Sequence, residues 1–85
     1  MAISNGRVVL EISSTDLRTL ECRSLFGAVS LPVSAITLID IRRWNRGFIR
    51  IRSEVSTIFL RRDMPGALAA MDELMRLNPT IEVRK

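Results

Sequence analysis

Residues 36–62, ITLIDIRRWNRGFIRIRSEVSTIFLRR, decide how the chain folds. Ile49 and Ile51 alternate with Phe48, Arg50 and Arg52. Successive strand residues point to opposite faces, so this period of two sends both isoleucines to one side of a sheet and the other three to the opposite side. Ile36 to Ile41, rich in β-branched residues, comes before this strand and runs into Arg42 and Arg43; Thr57 to Leu60 comes after it and runs into Arg61 and Arg62. Only Trp44 to Gly47 on one side, and Ser53 with Glu54 on the other, connect the three segments. Connections that short join antiparallel neighbours, because a parallel crossover takes about a dozen residues or more. The stretch therefore predicts an antiparallel meander with one wet face.

The same stretch concentrates charge. Arginines 42, 43, 46, 50, 52, 61 and 62 face a single acid within residues 42–62, Glu54, a local balance of +6; with +4 for the whole chain, the remainder carries −2. Lys85 is the only basic residue that is not arginine. Arginine favours planar, bidentate contact with carboxylate or phosphate over diffuse solubilising charge. The basic region therefore points to an anionic partner.

Working outward, 85 residues predict one domain, 1–85, near the lower size limit for folding without staples. Apolar residues make up 47% of the chain, enough for a core. One cysteine, Cys22, excludes an internal disulfide and suggests the reducing cytoplasm. The spacing gives no base beside it, so the thiol reads as a small buried apolar group. There is no histidine, which removes the commonest general acid or base and the commonest metal ligand. No glycine-rich phosphate loop or paired acids appear, so the expectation is a chain that is not an enzyme and takes no cofactor or metal. Arg7 and Glu11 interrupt any signal-like run near the start, and no apolar stretch is long enough for a membrane span; a soluble, unprocessed chain without integral membrane association is expected.

Before the meander, Met1 to Gly6 reads as a lead-in. Val8, Leu10 and Ile12 share one face of a first strand, and Ser13 to Asp16 forms the turn. Leu17 to Arg23 returns with Leu20 and Cys22 on one face; Ser24 to Gly27 turns the chain again. Ala28 to Val33 is then a strand with Val29, Leu31 and Val33 in register, and Pro32 places it at a sheet edge or ends it.

After Asp63 the period changes. Ala67, Leu68, Met71, Leu74 and Met75 recur at three and four, which predicts one amphipathic helix over Pro65 to Asn78. Pro65 suits the first helical position and Asp63 the positive end of the dipole, while Asn78 before Pro79 suits a left-handed cap. Ile81 and Val83 extend as a short tail. Val8, Leu10, Ile12, Leu20, Ile49, Ile51, Leu68, Met71 and Leu74 are the expected core. Six strands and then a helix define an α+β domain.

The run Leu31-Pro-Val-Ser-Ala-Ile36, then Ile39-Asp-Ile41, then Gly47-Phe-Ile-Arg-Ile51, followed by the C-terminal helix, resembles bacterial pleckstrin-homology-like domains over residues 7–78. The resemblance implies a bent antiparallel sheet or partly open barrel of about six to seven strands, closed at one end by the helix. It also implies interaction surfaces, frequent self-association and no catalysis. Phosphoinositide-binding members carry basic residues in their first turn, whereas Ser13 to Asp16 holds an acid and none, so headgroup recognition does not carry over.

Two function classes follow. The first is a protein-interaction module, forming a homo-oligomer through open strand edges or binding an acidic protein, with Arg42, Arg43, Trp44, Arg46, Phe48, Arg50 and Arg52 as the expected partner-binding residues. The alternative is nucleic-acid binding by the same arginines with Trp44 stacking on a base, or a small regulatory or inhibitory protein using that basic surface.

Overall fold

The structure, a computed structural model, describes residues 1–13, 18–42 and 47–85. The strands are β1 (Ala2–Ser4), β2 (Val9–Ile12), β3 (Thr19–Ser24), β4 (Gly27–Pro32), β5 (Ile36–Asp40), β6 (Phe48–Ser53), β7 (Thr57–Arg61) and β8 (Glu82–Arg84); the helix α1 (Ala67–Leu77) lies between β7 and β8. They form two four-stranded sheets in the orders β1-β2-β3-β4 and β7-β6-β5-β8.

The α+β class and the antiparallel β5-β6-β7 meander agree with the sequence. The strand count does not: the described residues hold eight strands where the sequence predicts six, because both terminal segments pair. Among the described residues the two sheets do not close into a barrel. β1 lies within the expected lead-in, Met1 to Gly6. Asn5 Oδ1 accepts the N–H groups of Arg7 and Val8 at 2.9 and 2.8 Å, making the local turn that folds β1 back on β2. β8 lies in the expected tail, and it pairs with β5 in parallel, which the helical crossover from β7 makes available.

Buried residues from both sheets and the helix form one cluster. Leu10, Ile12, Leu20 and Leu31 come from the first sheet, Ile36, Ile39, Ile49, Ile51, Ile58 and Leu60 from the second, and Ala67, Ala70, Met71 and Leu74 from the helix. Val8 packs against its margin. Leu68 corrects the expected core: it is 48% exposed, and Ala67 and Ala70 take the inward stripe instead. On a helix of 3.6 residues per turn, positions 67, 70, 71 and 74 share one face and 68 lies beside it. Val29 departs from its expected partners as well; it is 42% exposed while Leu31 and Val33 are buried.

Both ends of the helix differ from the sequence expectation. Pro65 stands outside it, and Gly66, at φ 83°, is the residue that caps it. A Cβ at Gly66 would sit 2.9 Å from Ile3 Cγ2, so both the left-handed backbone and the approach of β1 require glycine here. Asp63 is held by Arg61 at 3.0 Å. At the other end Asn78 is at φ −136°, not left-handed. Its buried Nδ2 donates to the carbonyls of Val33 and Ile36 at 3.0 and 3.4 Å, and its Oδ1 accepts from the Thr80 N–H at 3.2 Å. Val33–Ala35 is a 3₁₀ turn joining the two sheets, so Asn78 ties the helix end to the hinge between them.

Candidate interaction face

The second sheet buries one face, while its other face is open at Phe48, Arg52 and Phe59 and covered at Leu38 and Asp40. Along β6, Ile49 and Ile51 are fully buried, while Phe48 and Arg52 are exposed and Arg50 is intermediate. The register extends this outer face sideways: Arg50 lies opposite Asp40 on β5 and Phe59 on β7, Phe48 opposite Arg61, and Arg52 opposite Leu38 and Thr57. A bulge between Ile36 and Leu38 allows β5 to present Ile36 and Ile39 inward yet Leu38 and Asp40 outward. Leu38 is accordingly buried without belonging to the main core cluster.

Asp40 organises the charges on this face. It is fully buried, and its carboxylate accepts from Arg42 Nε at 2.9 Å and Arg42 Nη2 at 2.6 Å, and from the Arg42 N–H at 3.1 Å. Arg50 Nη2 lies 3.6 Å from the same carboxylate. The bidentate bond, then the negative charge, raises the Arg42 pKa above its ordinary value, so the guanidinium stays charged. A buried carboxylate needs this company, since an unpaired one would lose its hydration without replacement.

The arginine run is therefore less uniform than its sequence suggests. Arg42 and Arg50 turn to Asp40, Arg61 binds Asp63 at 3.0 Å, and Arg62 donates to the Ile41 carbonyl. Among the described residues Arg52 enters no ion pair. Phe59, 64% exposed, joins Phe48 as the apolar part of the face. A shallow cleft of about 310 Å³ lies at its end, lined by Gly47, Phe48, Arg61, Arg62 and Asp63.

Of the partner-binding residues expected from sequence, Phe48, Arg50 and Arg52 share the outer face and Arg42 borders it. Arg43, Trp44 and Arg46 lie outside the described residues, as does most of the Ser13 to Asp16 turn. Sequence reasoning missed Phe59 and the anchoring role of Asp40. The Thr57/Phe59/Arg61 alternation carried the first signal; the second depends on pairing between strands.

Cys22 is half-buried on the inner side of the first sheet, opposite Leu10 and Val29. Burial raises its thiol pKa, which keeps it protonated and a poor nucleophile. Among the described residues no group of acids, histidines or cysteines is arranged to hold a metal, and no helix is long and apolar enough to cross a membrane.

No protein-family model matches the chain, and no curated protein or solved structure matches it.

Proposed function

We propose that this chain is a non-catalytic protein-interaction module of pleckstrin-homology-like type, which self-associates and docks an acidic protein surface on the outer face of the second sheet. The observation that carries the reading is the row of exposed Phe48 and Phe59 beside Arg52 and Arg61, with Arg50 held in place by buried Asp40. Aromatic residues next to arginine are the composition of interface hot spots, and a guanidinium already oriented loses less freedom on binding. The family part of the reading is supported by the order of elements among the described residues, seven strands and then the long helix, with the three-residue β8 after it. A single thiol suits a reducing compartment such as the cytoplasm.

Salt dependence tests the reading against its nucleic-acid rival. A labelled peptide of glutamates interspersed with leucine and phenylalanine, and labelled single-stranded and duplex DNA, are titrated at two salt concentrations. The peptide should bind with an affinity that survives added salt, because the aromatic contacts persist. Arg52→Glu and Phe59→Ala should each weaken it about tenfold. DNA binding whose log affinity falls by about 0.9 per phosphate neutralised on duplex, with no peptide binding, would replace the acidic-protein reading.

A further inference from the structure

We infer that self-association runs through the free edge of β4, which pairs antiparallel with β4 of a second copy about a two-fold axis at Val29. The inference rests on the self-associating reading above and names its surface.

Among the described residues four strands lie at sheet edges: β1, β4, β7 and β8. β1 and β8 have three residues each, and α1 lies against β1. β7 carries Arg61. β4, Gly27-Ala-Val-Ser-Leu-Pro32, is six residues long with no charge and no bulge in its pairing to β3. Native edges are ordinarily blunted by such devices, and here only Pro32, at the end, serves.

The direction of the free groups follows from two hydrogen bonds. The Ser13 N–H donates to the Thr19 carbonyl, whereas the Val33 N–H donates to the Arg18 carbonyl. In an antiparallel ladder the bonding direction alternates residue by residue, so on β3 residues 19, 21 and 23 bond toward β2, and 18, 20, 22 and 24 bond toward β4. On β4 the partners of the latter are Leu31, Val29 and Gly27. Ala28, Ser30 and Pro32 therefore aim their backbone groups outward, and proline has no N–H to offer. Pairing about Val29 sets Ala28 opposite Ser30 of the copy and Ser30 opposite Ala28, using every outward N–H and carbonyl of those two residues. Shifting the centre to Ser30 would pair Ala28 with Pro32 and lose donors; shifting it to Ala28 would pair Ser30 with Phe26, whose N–H is already engaged by Ser24 Oγ at 3.2 Å.

The side chains agree with a copy of the same chain as occupant. Val29, 42% exposed, meets Val29 across the axis, and the hairpin tip, with Leu25 91% and Phe26 100% exposed, is carried beside the exposed Pro32 of the second chain. No like charges are brought face to face on β4, and Arg23 on the neighbouring strand is already neutralised by Glu21 at 3.1 Å and Glu11 at 3.8 Å. An isologous contact of this kind closes as a dimer.

The test is a cross-link combined with sedimentation. Val29→Cys is placed in a Cys22→Ala background, because Cys22 lies opposite Val29 within one chain and would otherwise compete. At a non-hydrogen-bonded antiparallel pair the Cα atoms are about 4.5 Å apart, within disulfide range, so mild oxidation should give covalent dimer from Val29→Cys and far less from Arg7→Cys. Ser30→Pro, with its fold checked by circular dichroism, should raise the dimer dissociation constant about tenfold or more. A chain that sediments as a dimer but neither cross-links at position 29 nor responds to Ser30→Pro overturns the β4 assignment and leaves self-association standing. A monomer at all concentrations removes both. The cross-link result holds even if Ser30→Pro fails to fold.

Discussion

The two sheets use the same alternation to different ends. In the second sheet the inward residues of the central strands, Ile39, Ile49 and Ile51, are all fully buried. In the first sheet cover stops partway: Leu10, Ile12, Leu20 and Leu31 are buried, while Cys22 and Val8 are only partly so and Val29, Leu25 and Phe26 are open to solvent. A period of two states which side of a strand is apolar. How far along that side another layer reaches depends on where the helix and the opposite sheet end. The outer faces differ as well, since the second sheet sets exposed aromatics among its arginines and the first pairs Arg23 with Glu11 and Glu21.

The largest effect expected from this contrast is at Ile51. Ile51→Ala should cost about 2 to 5 kcal/mol in chemical denaturation, most of the stability of so small a domain. Val29→Ala on the open part of the first sheet should cost well under about 1 kcal/mol in a monomer. Equal losses at the two positions would break the comparison.

Asp40 comes next. Asp40→Ala removes the buried acceptor from Arg42 and Arg50, and the loss should be about 3 kcal/mol by the same measurement, toward the low end for a broken buried pair because both arginines reach water. A neutral result would show that the anchor on the outer face contributes orientation without stability. Gly66→Ala should cost about 1 to 2 kcal/mol from its left-handed backbone, plus the clash with Ile3; Ile3→Ala in the same chain should recover the second part and not the first. Leu68→Ala should change the denaturation midpoint by no more than about 0.5 kcal/mol, against about 2 to 5 for Leu74→Ala on the buried stripe.

The smallest effect is the response to acid. Arg61 lowers the Asp63 pKa, and Arg76 lowers that of Glu73, each mainly by hydrogen bonding, from ordinary values of 3.8 and 4.5. A carboxylate depressed in the folded state stabilises the fold above its unfolded pKa, and that contribution disappears as pH falls through the folded value. Both pairs are on the surface, so Asp63→Asn with Glu73→Gln should flatten the decline of the melting temperature below pH 4.5 only slightly. A steep decline that survives the double variant would move the acid response to other carboxylates.

The sequence by itself determined the class, the central meander, the wet face of β6 and the change of period that begins the helix. Each of these is local: a side chain's direction along a strand or helix follows from backbone geometry shared by its near neighbours. It did not determine the pairings made by distant segments. Ala2–Ser4 and Glu82–Arg84 become strands because β2 and β5 offer them an edge, and three-residue strands have too little pattern of their own to declare themselves. Leu68 stays out of the core because it sits beside the face formed by Ala67, Ala70, Met71 and Leu74, and which edge of an apolar stripe is covered depends on how the helix is set against its neighbours. On the interaction face, Phe48, Arg50 and Arg52 were legible from alternation alone. That Asp40 is buried between Arg42 and Arg50, and that Phe59 completes the face, was decided when a bulged β5 and a returning β7 aligned with β6, a register that the energy of the assembled core selects.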